Sequence, residues 1–322
     1  MVSFTSRLPI GKITALILLI GITAIAGSGI MAQSSGGVPN VQIGFDRPEA
    51  WALKRFDAAL LPSTMLPVAP DGLRQVGAIS VGVEADWLPM LSATQQTVGF
   101  NGTKLEDLNE APALVRPVIG VQMPWKLRAF ATAPLPISTF GIKPRLFAFG
   151  VERPLLERGP WTLDWQAYGQ VGSVKGAITC PASAVAAPPG SPANPTDCVA
   201  LSSDIASLRY AGSQLQVAHS FPQMPKLVLH ASVAGTFDDV AFQSHGPTTF
   251  GLSQLRQWAH GGMFSTAGGV TYLFNQRIAF TVDVFYTPLE VRRTAGAPVT
   301  NDGLFNVRGL LSYQFGGATK EP

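Results

Sequence analysis

Charge is what this 322-residue chain has least of. Asp, Glu, Lys and Arg together make up 13% of it, about half the share in an ordinary soluble domain. Cysteine occurs twice, at Cys180 and Cys198, and no further Cys or His lies nearby in the sequence to complete a metal site with them. No phosphate-binding glycine loop, zinc-type spacing or calcium loop is present, so nothing in the chain calls for a cofactor or metal. Past the first thirty or so residues there is no apolar run long enough for a transmembrane helix. The formal charge is only +3, which leaves no basic surface for nucleic acid.

Against that scarcity stands 46% hydrophobic residues. The first of them form the run from Ile13 to Ile25, preceded by Arg7 and Lys12 and followed by Ala24, Ala26, Gly27, Ser28 and Ala32. That order is the charged, apolar and small-residue succession of an export signal, with cleavage after Ala26 or Ala32. A retained membrane anchor is the competing reading, disfavoured because the run is short for a spanning helix. Cleavage after Ala32 removes two of the 23 basic residues and no acid, so +3 becomes +1. An exported chain meets an oxidising compartment, which points to a Cys180–Cys198 disulfide around the Pro- and Ala-rich segment between them.

The rest of the hydrophobicity is arranged with a period of two. Ile79, Val81, Val83, Ala85 and Trp87 alternate with Ser80, Gly82, Glu84 and Asp86. Trp161 to Tyr168, Leu227 to Ala234 and Arg277 to Tyr286 repeat the pattern. Such strands have one apolar face and one more polar face. Short turns at 122–126, 157–160, 223–226 and 275–276 alternate with longer connections near 91–112, 133–138, 179–205, 243–260 and 291–302. Placing strands between them gives 73–90, 113–122, 126–133, 139–155, 161–178, 206–220, 226–242, 261–274, 277–290 and 303–315. That is ten, with eight or twelve as the alternatives. Pro117 and Pro144 fall inside two of them and point to bulges.

The last strand is the most specific. Phe305, Val307, Gly309, Leu311, Tyr313 and Phe315 share one face, with Leu304, Asn306, Arg308, Leu310, Ser312 and Gln314 on the other. Behind an export signal, this ending resembles the C-terminal strand of bacterial outer-membrane β-barrels. The resemblance covers 73–315 and implies an all-β, antiparallel up-and-down transmembrane barrel, with short turns on the periplasmic side and long loops outside. It also implies outer-membrane lipid around the barrel, escort by periplasmic chaperones, and insertion by the barrel-assembly machinery, which would read Tyr313 and Phe315. Residues 1–32 are then the signal, 33–72 an N-terminal periplasmic segment and 316–322 a tail. Aromatics support two interfacial girdles. Trp125, Trp161, Tyr272, Phe274, Tyr313 and Phe315 fall near one rim; Trp87, Phe237, Tyr286 and Phe305 fall near the other.

Residues 47–60 break the strand pattern. Leu53, Phe56 and Leu60 fall on one helical face with Ala52 and Ala59. Asp46 is placed to cap this helix, with Pro48 and Glu49 in its first turn and Pro62 ending it. It would close one end of the barrel, plug the lumen, or lie on the membrane surface.

The polar face of the strands collects Glu84, Asp86, Arg116, Arg128, Asp164, His230, Asp283 and Arg308. One reading is a charged constriction selecting small solutes. The favoured one is a neutralising ion-pair network filling a narrow lumen. The leading functional expectation is a small pore or facilitator for small solutes, and the alternative is a structural or surface-interaction barrel with binding loops. Asp238, Asp239, His245 and His260 near one rim are weighed for water activation, as in omptin-type outer-membrane proteases, but their spacing does not reproduce that pattern. His219–Ser220 and Ser244–His245 are neighbours without a catalytic motif. No catalytic residue is assigned, and the chain is not read as an enzyme.

Overall fold

The computed structural model describes residues 38–67, 75–109, 113–134 and 142–316. The expected export signal, residues 1–32, and the expected tail beyond residue 316 lie outside them. Ten antiparallel strands close on themselves: β1 (Ile79–Trp87), β2 (Ala113–Gln122), β3 (Arg128–Thr132), β4 (Lys143–Arg158), β5 (Trp161–Gly176), β6 (Asp204–Phe221), β7 (Met224–Thr248), β8 (Gly251–Leu273), β9 (Ile278–Thr287) and β10 (Leu304–Phe315). Each pairs with its chain neighbours, and β10 returns to β1 with Arg308 opposite Asp86 and Phe315 opposite Ile79. Closure leaves no long free edge and satisfies the ladder hydrogen bonds within the wall.

Alternation sets the two faces. Val83, Val115, Ile119, Phe147, Phe149, Phe264, Phe280, Val284 and Leu311 are exposed on the outside, although all are large and apolar. Trp125, Trp161, Phe274 and Phe315 ring the short-turn end; Trp87, Phe237 and Phe305 ring the other. A belt of this kind is stable against lipid and costly against water. The wall is that of an outer-membrane-type barrel. Among the described residues no helix is long and apolar enough to cross a membrane; strands do the crossing.

Three sequence expectations are corrected. Pro117 and Pro144 cause no bulge, because both ladders run through them in register. The neighbouring β3 ladder stops at Val118 and Ala148, so Pro117 lies one residue and Pro144 four residues beyond its ends, on the side where β3 asks for no N–H. The irregularity falls at Pro154–Leu156 instead. Second, 243–260 is not a loop: β7 and β8 stay paired out to Thr248–Gly251. The resulting hairpin ends in a tight turn in which the Phe250 N–H donates to Thr248 Oγ1 at 3.2 Å. Third, Asp46 does not cap the helix; the N-cap is Arg47, with no side-chain bond. Asp46 instead accepts from Arg292 Nε at 2.9 Å.

The helix α1 (Pro48–Leu60) continues into a 3-10 turn, Leu61–Ser63. It lies inside the barrel. Trp51, Leu61, Met65 and Leu66 are almost fully buried there against luminal residues such as Leu208, Val240, Phe285 and Leu310. The chain reaches this position by way of the wall. Asn40–Gln42 pairs in parallel with Arg256–Trp258 of β8, on the edge left uncovered where the β9 ladder ends at Thr266–Tyr286. It then turns inward, with Phe45 seated on Gly261, where any Cβ would strike the ring.

Candidate functional site

Two regions inside the barrel have concentrated chemistry: an ion-pair belt at mid-height and a chamber at the loop end.

The belt uses the residues that the alternation had placed inward. Arg308 donates to Asp283 from Nε at 2.9 Å and Nη2 at 2.5 Å. His230 Nε2 meets the other Asp283 oxygen at 2.5 Å. Arg308 also approaches Glu84 at 4.0 Å, and Arg116 bridges Glu84, at 2.7 Å, and Asp86. Alternating signs thus run across the closure seam from Asp283 on β9 to Arg116 on β2, and none of these residues, His230 included, is more than 8% exposed. Pairing of this kind is what makes buried charge tolerable. Arg128 sits apart, on Glu152 at 3.3 Å, and Asp164 is buried on β5. Glu152 was not singled out in the sequence, although its even position on β4 puts it on the luminal side.

The belt also holds the helix. Arg308 Nη1 donates to the carbonyls of Pro62 and Met65, the latter at 3.0 Å. Gln166 donates to the Thr64 carbonyl, and Thr64 Oγ1 lies 3.2 Å from the Tyr210 hydroxyl. Higher up, Trp51 Nε1 donates to the Asp302 carbonyl at 3.0 Å and Lys54 Nζ to the Glu290 carbonyl at 2.7 Å. Burial pulls Lys54 down to about 8. Asp57, fully buried on the same helix, faces Asp238 of β7, and neither carboxyl has a hydrogen-bond partner among the described residues. Burial and the like charges of Asp238 and Asp239 push Asp57 well above the usual carboxylate range. Asp238 and Asp239 point to opposite sides of the wall, the second outward beside His260. His245 bonds Gln254 at 3.0 Å. The rim acids and histidines therefore do not converge.

Above the helix lies a cavity of about 460 Å³. Its floor is α1, through Ala52, Leu53 and Phe56; its walls are residues 98–108, the disulfide loop and the inner face of the β7–β8 hairpin. The Cys180–Cys198 bond is formed and buried. Segment 98–108 is pinned by Glu49, whose Oε1 accepts the Asn101 N–H at 2.6 Å. That bond holds Phe100 and Asn101 at φ 48° and 62°, a left-handed conformation that non-glycine residues adopt at a cost. The lining is mainly apolar, with Glu49 on α1 and Ser244, Ser253 and Gln257 on the hairpin as polar exceptions; its charged side is where Lys104 Nζ donates to Glu106 at 3.0 Å and to the Thr179 carbonyl at 2.9 Å. Burial raises Glu106 to about 7, against the opposing pull of Lys104. A second cavity of about 390 Å³ lies on the far side of this pair, lined mainly by polar and proline residues.

No protein-family description matches the chain, and no curated protein matches it. Solved structures do, at low similarity. The outer-membrane protease OmpT of Escherichia coli is 11% identical with a TM-score of 0.38, over 79% of this chain and all of that one. The attachment invasion locus protein Ail of Yersinia pestis is 9% identical at 0.29, over 74% and 99%. The toluene transporter TbuX of Ralstonia pickettii is 9% identical at 0.30, over 76% and 91%. The three differ in what they do, and nothing of their chemistry is carried over to this chain.

Proposed function

We infer that this protein is a capped outer-membrane barrel, closed to general diffusion by its own N-terminal helix, that binds small molecules in the chamber on its outer face. The observation that carries this reading is the position of α1: one element stops the lumen below and forms the chamber floor above. The apolar belt and two aromatic rims support a bilayer setting. Short turns at one end and long loops at the other support an orientation with the chamber outward. A cavity of about 460 Å³ falls within the roughly 300–1,000 Å³ of small-molecule sites. The partners of such a barrel are outer-membrane lipid and, during biogenesis, periplasmic chaperones and the assembly machinery. No reaction is proposed.

Passage of small solutes is the second reading, and the same helix decides it. Transport through the lumen needs α1 to move, breaking its bonds to Arg308, Gln166 and Tyr210. The test is single-channel recording of the refolded mature protein in a planar bilayer, beside a form lacking residues 33–62. The expected result is silence from the full protein and steady conductance from the truncated one. Steady conductance from the full protein overturns the capped-barrel reading.

A further inference from the structure

The chamber has a polarity of its own. Its floor and hairpin side present Leu53, Phe56, Phe242 and Leu255, while its only described cation is Lys104. Lys104 is 7% exposed and an ammonium has three donors. Two are used, toward Glu106 and Thr179, and the third has no oxygen acceptor among the described residues, only the face of the Phe100 ring 5.8 Å away. The Lys104–Glu106 pair lines the apolar chamber and also the second, more polar cavity. It therefore stands at the boundary between an apolar and a polar space, where the head of an amphiphile belongs.

We propose that the chamber takes an amphipathic carboxylate, its alkyl chain on the apolar floor and its head group accepting from Lys104. This rests on the reading of the barrel as capped and outward-binding. Three other charges or titratable groups bear on the head-group position. They are Glu106 beside Lys104, Asp204 on β6 and Glu49 on α1. Asp204 is already engaged by the Thr179 N–H at 2.5 Å, the Ser202 hydroxyl at 2.7 Å and the His245 N–H at 2.9 Å. Glu49 is held by Asn101 and Arg47. Glu106 is the group that changes state near neutrality, at about 7. Below that it is neutral, repels no carboxylate and offers a donor; above it, it competes for Lys104 as an anion. Carboxylate binding is therefore tighter on the acid side.

The test uses the full mature protein in lipid nanodiscs, with empty nanodiscs as the reference for lipid partitioning. Hexanoate, octanoate, decanoate and decanol are titrated by equilibrium dialysis. The expected result is saturable decanoate binding, with Kd falling about fourfold per methylene along the carboxylate series. Lys104→Met/Glu106→Gln, which removes both charges together, weakens decanoate by about tenfold and leaves decanol unchanged. Decanoate binds more tightly at about pH 6 than at about pH 8, and Glu106→Gln abolishes that difference. Ser253→Trp, which fills the chamber from the hairpin side, removes binding of every probe. Heat-modifiable gel mobility establishes that each variant is folded.

Equal binding of decanol and decanoate, insensitive to pH and to the double variant, overturns the head-group assignment and leaves the capped barrel with an apolar chamber. Retained decanoate binding in folded Ser253→Trp places the site elsewhere and overturns the proposal. Absence of saturable binding by any probe overturns it together with the binding half of the proposed function. The silent bilayer recording remains a separate test of the cap.

Discussion

Gly269 lies on β8 between two residues that meet across it, His230 of β7 and Asp283 of β9. A Cβ at this position would strike Asp283 Oδ1 and come within 2.7 Å of His230 Nε2. The missing side chain is thus what lets a histidine and a carboxylate two strands apart share a hydrogen bond. Gly268, its neighbour, faces out and would meet nothing nearer than 3.9 Å. Gly269→Val should destabilise the barrel by about 3 kcal/mol, the order expected for breaking a buried pair, while Gly268→Ala should change little. Urea titration read by gel mobility separates the two. His230, Asp283 and Arg308 were legible as inward residues because strand parity assigns a face. Gly269 was not, because a glycine in a strand has no side chain to mark its use.

At the level of the helix, titration reads out docking. Asp57 is held neutral inside the barrel, whereas in solvent it ionises near its ordinary value, about 4. Docking of α1 therefore binds a proton. Its stability is fully present below about pH 4 and falls as pH rises toward the raised value, by up to about 1.4 kcal/mol per unit. Lys54, lowered to about 8, stays protonated on both sides of docking below that pH and adds slope only above it. Above about pH 4 and short of its own raised value, Asp57 carries the helix-borne slope. The urea concentration at which α1 undocks, read by proteolysis within residues 47–62, should fall from about pH 5 to about pH 7, and Asp57→Asn should flatten the dependence. An opposite trend, or none, would remove Asp57 from the account. The sequence marked 47–60 as a helix through Leu53, Phe56 and Leu60. It carried no sign of burial on every side, because Lys54, Arg55 and Asp57 are of types that ordinarily stay in water.

For the barrel as a whole, closure depends on the β10–β1 seam. Nine paired positions join them, from Val307–Trp87 to Phe315–Ile79. Removing Tyr313–Phe315 shortens that seam and takes away the aromatic end that the assembly machinery would read. The expected outcome is loss of heat-modifiable, membrane-integrated protein, seen by fractionation and unheated electrophoresis. A normally assembled barrel after that deletion would separate the seam and its aromatic end from biogenesis.

The ten strands and their parity were legible because a period of two is local, repeated at every strand and opposed by nothing else in the chain. The charged belt followed from the same parity. What the sequence hid was the filling. Val118, Leu146, Leu208, Val240 and Leu310 share the luminal parity with the charges and are buried; apolar residues on that face are the trace of something apolar inside. No local pattern says that residues 48–66 are that something. The contacts that put them there, such as Arg308 with Met65 and Lys54 with Glu290, span more than 230 positions. The loop-end chamber likewise exists only where four separated segments meet. Alternation is written residue by residue, whereas a plug and the cavity above it are properties of closure, which brings distant chain together only once the wall has formed.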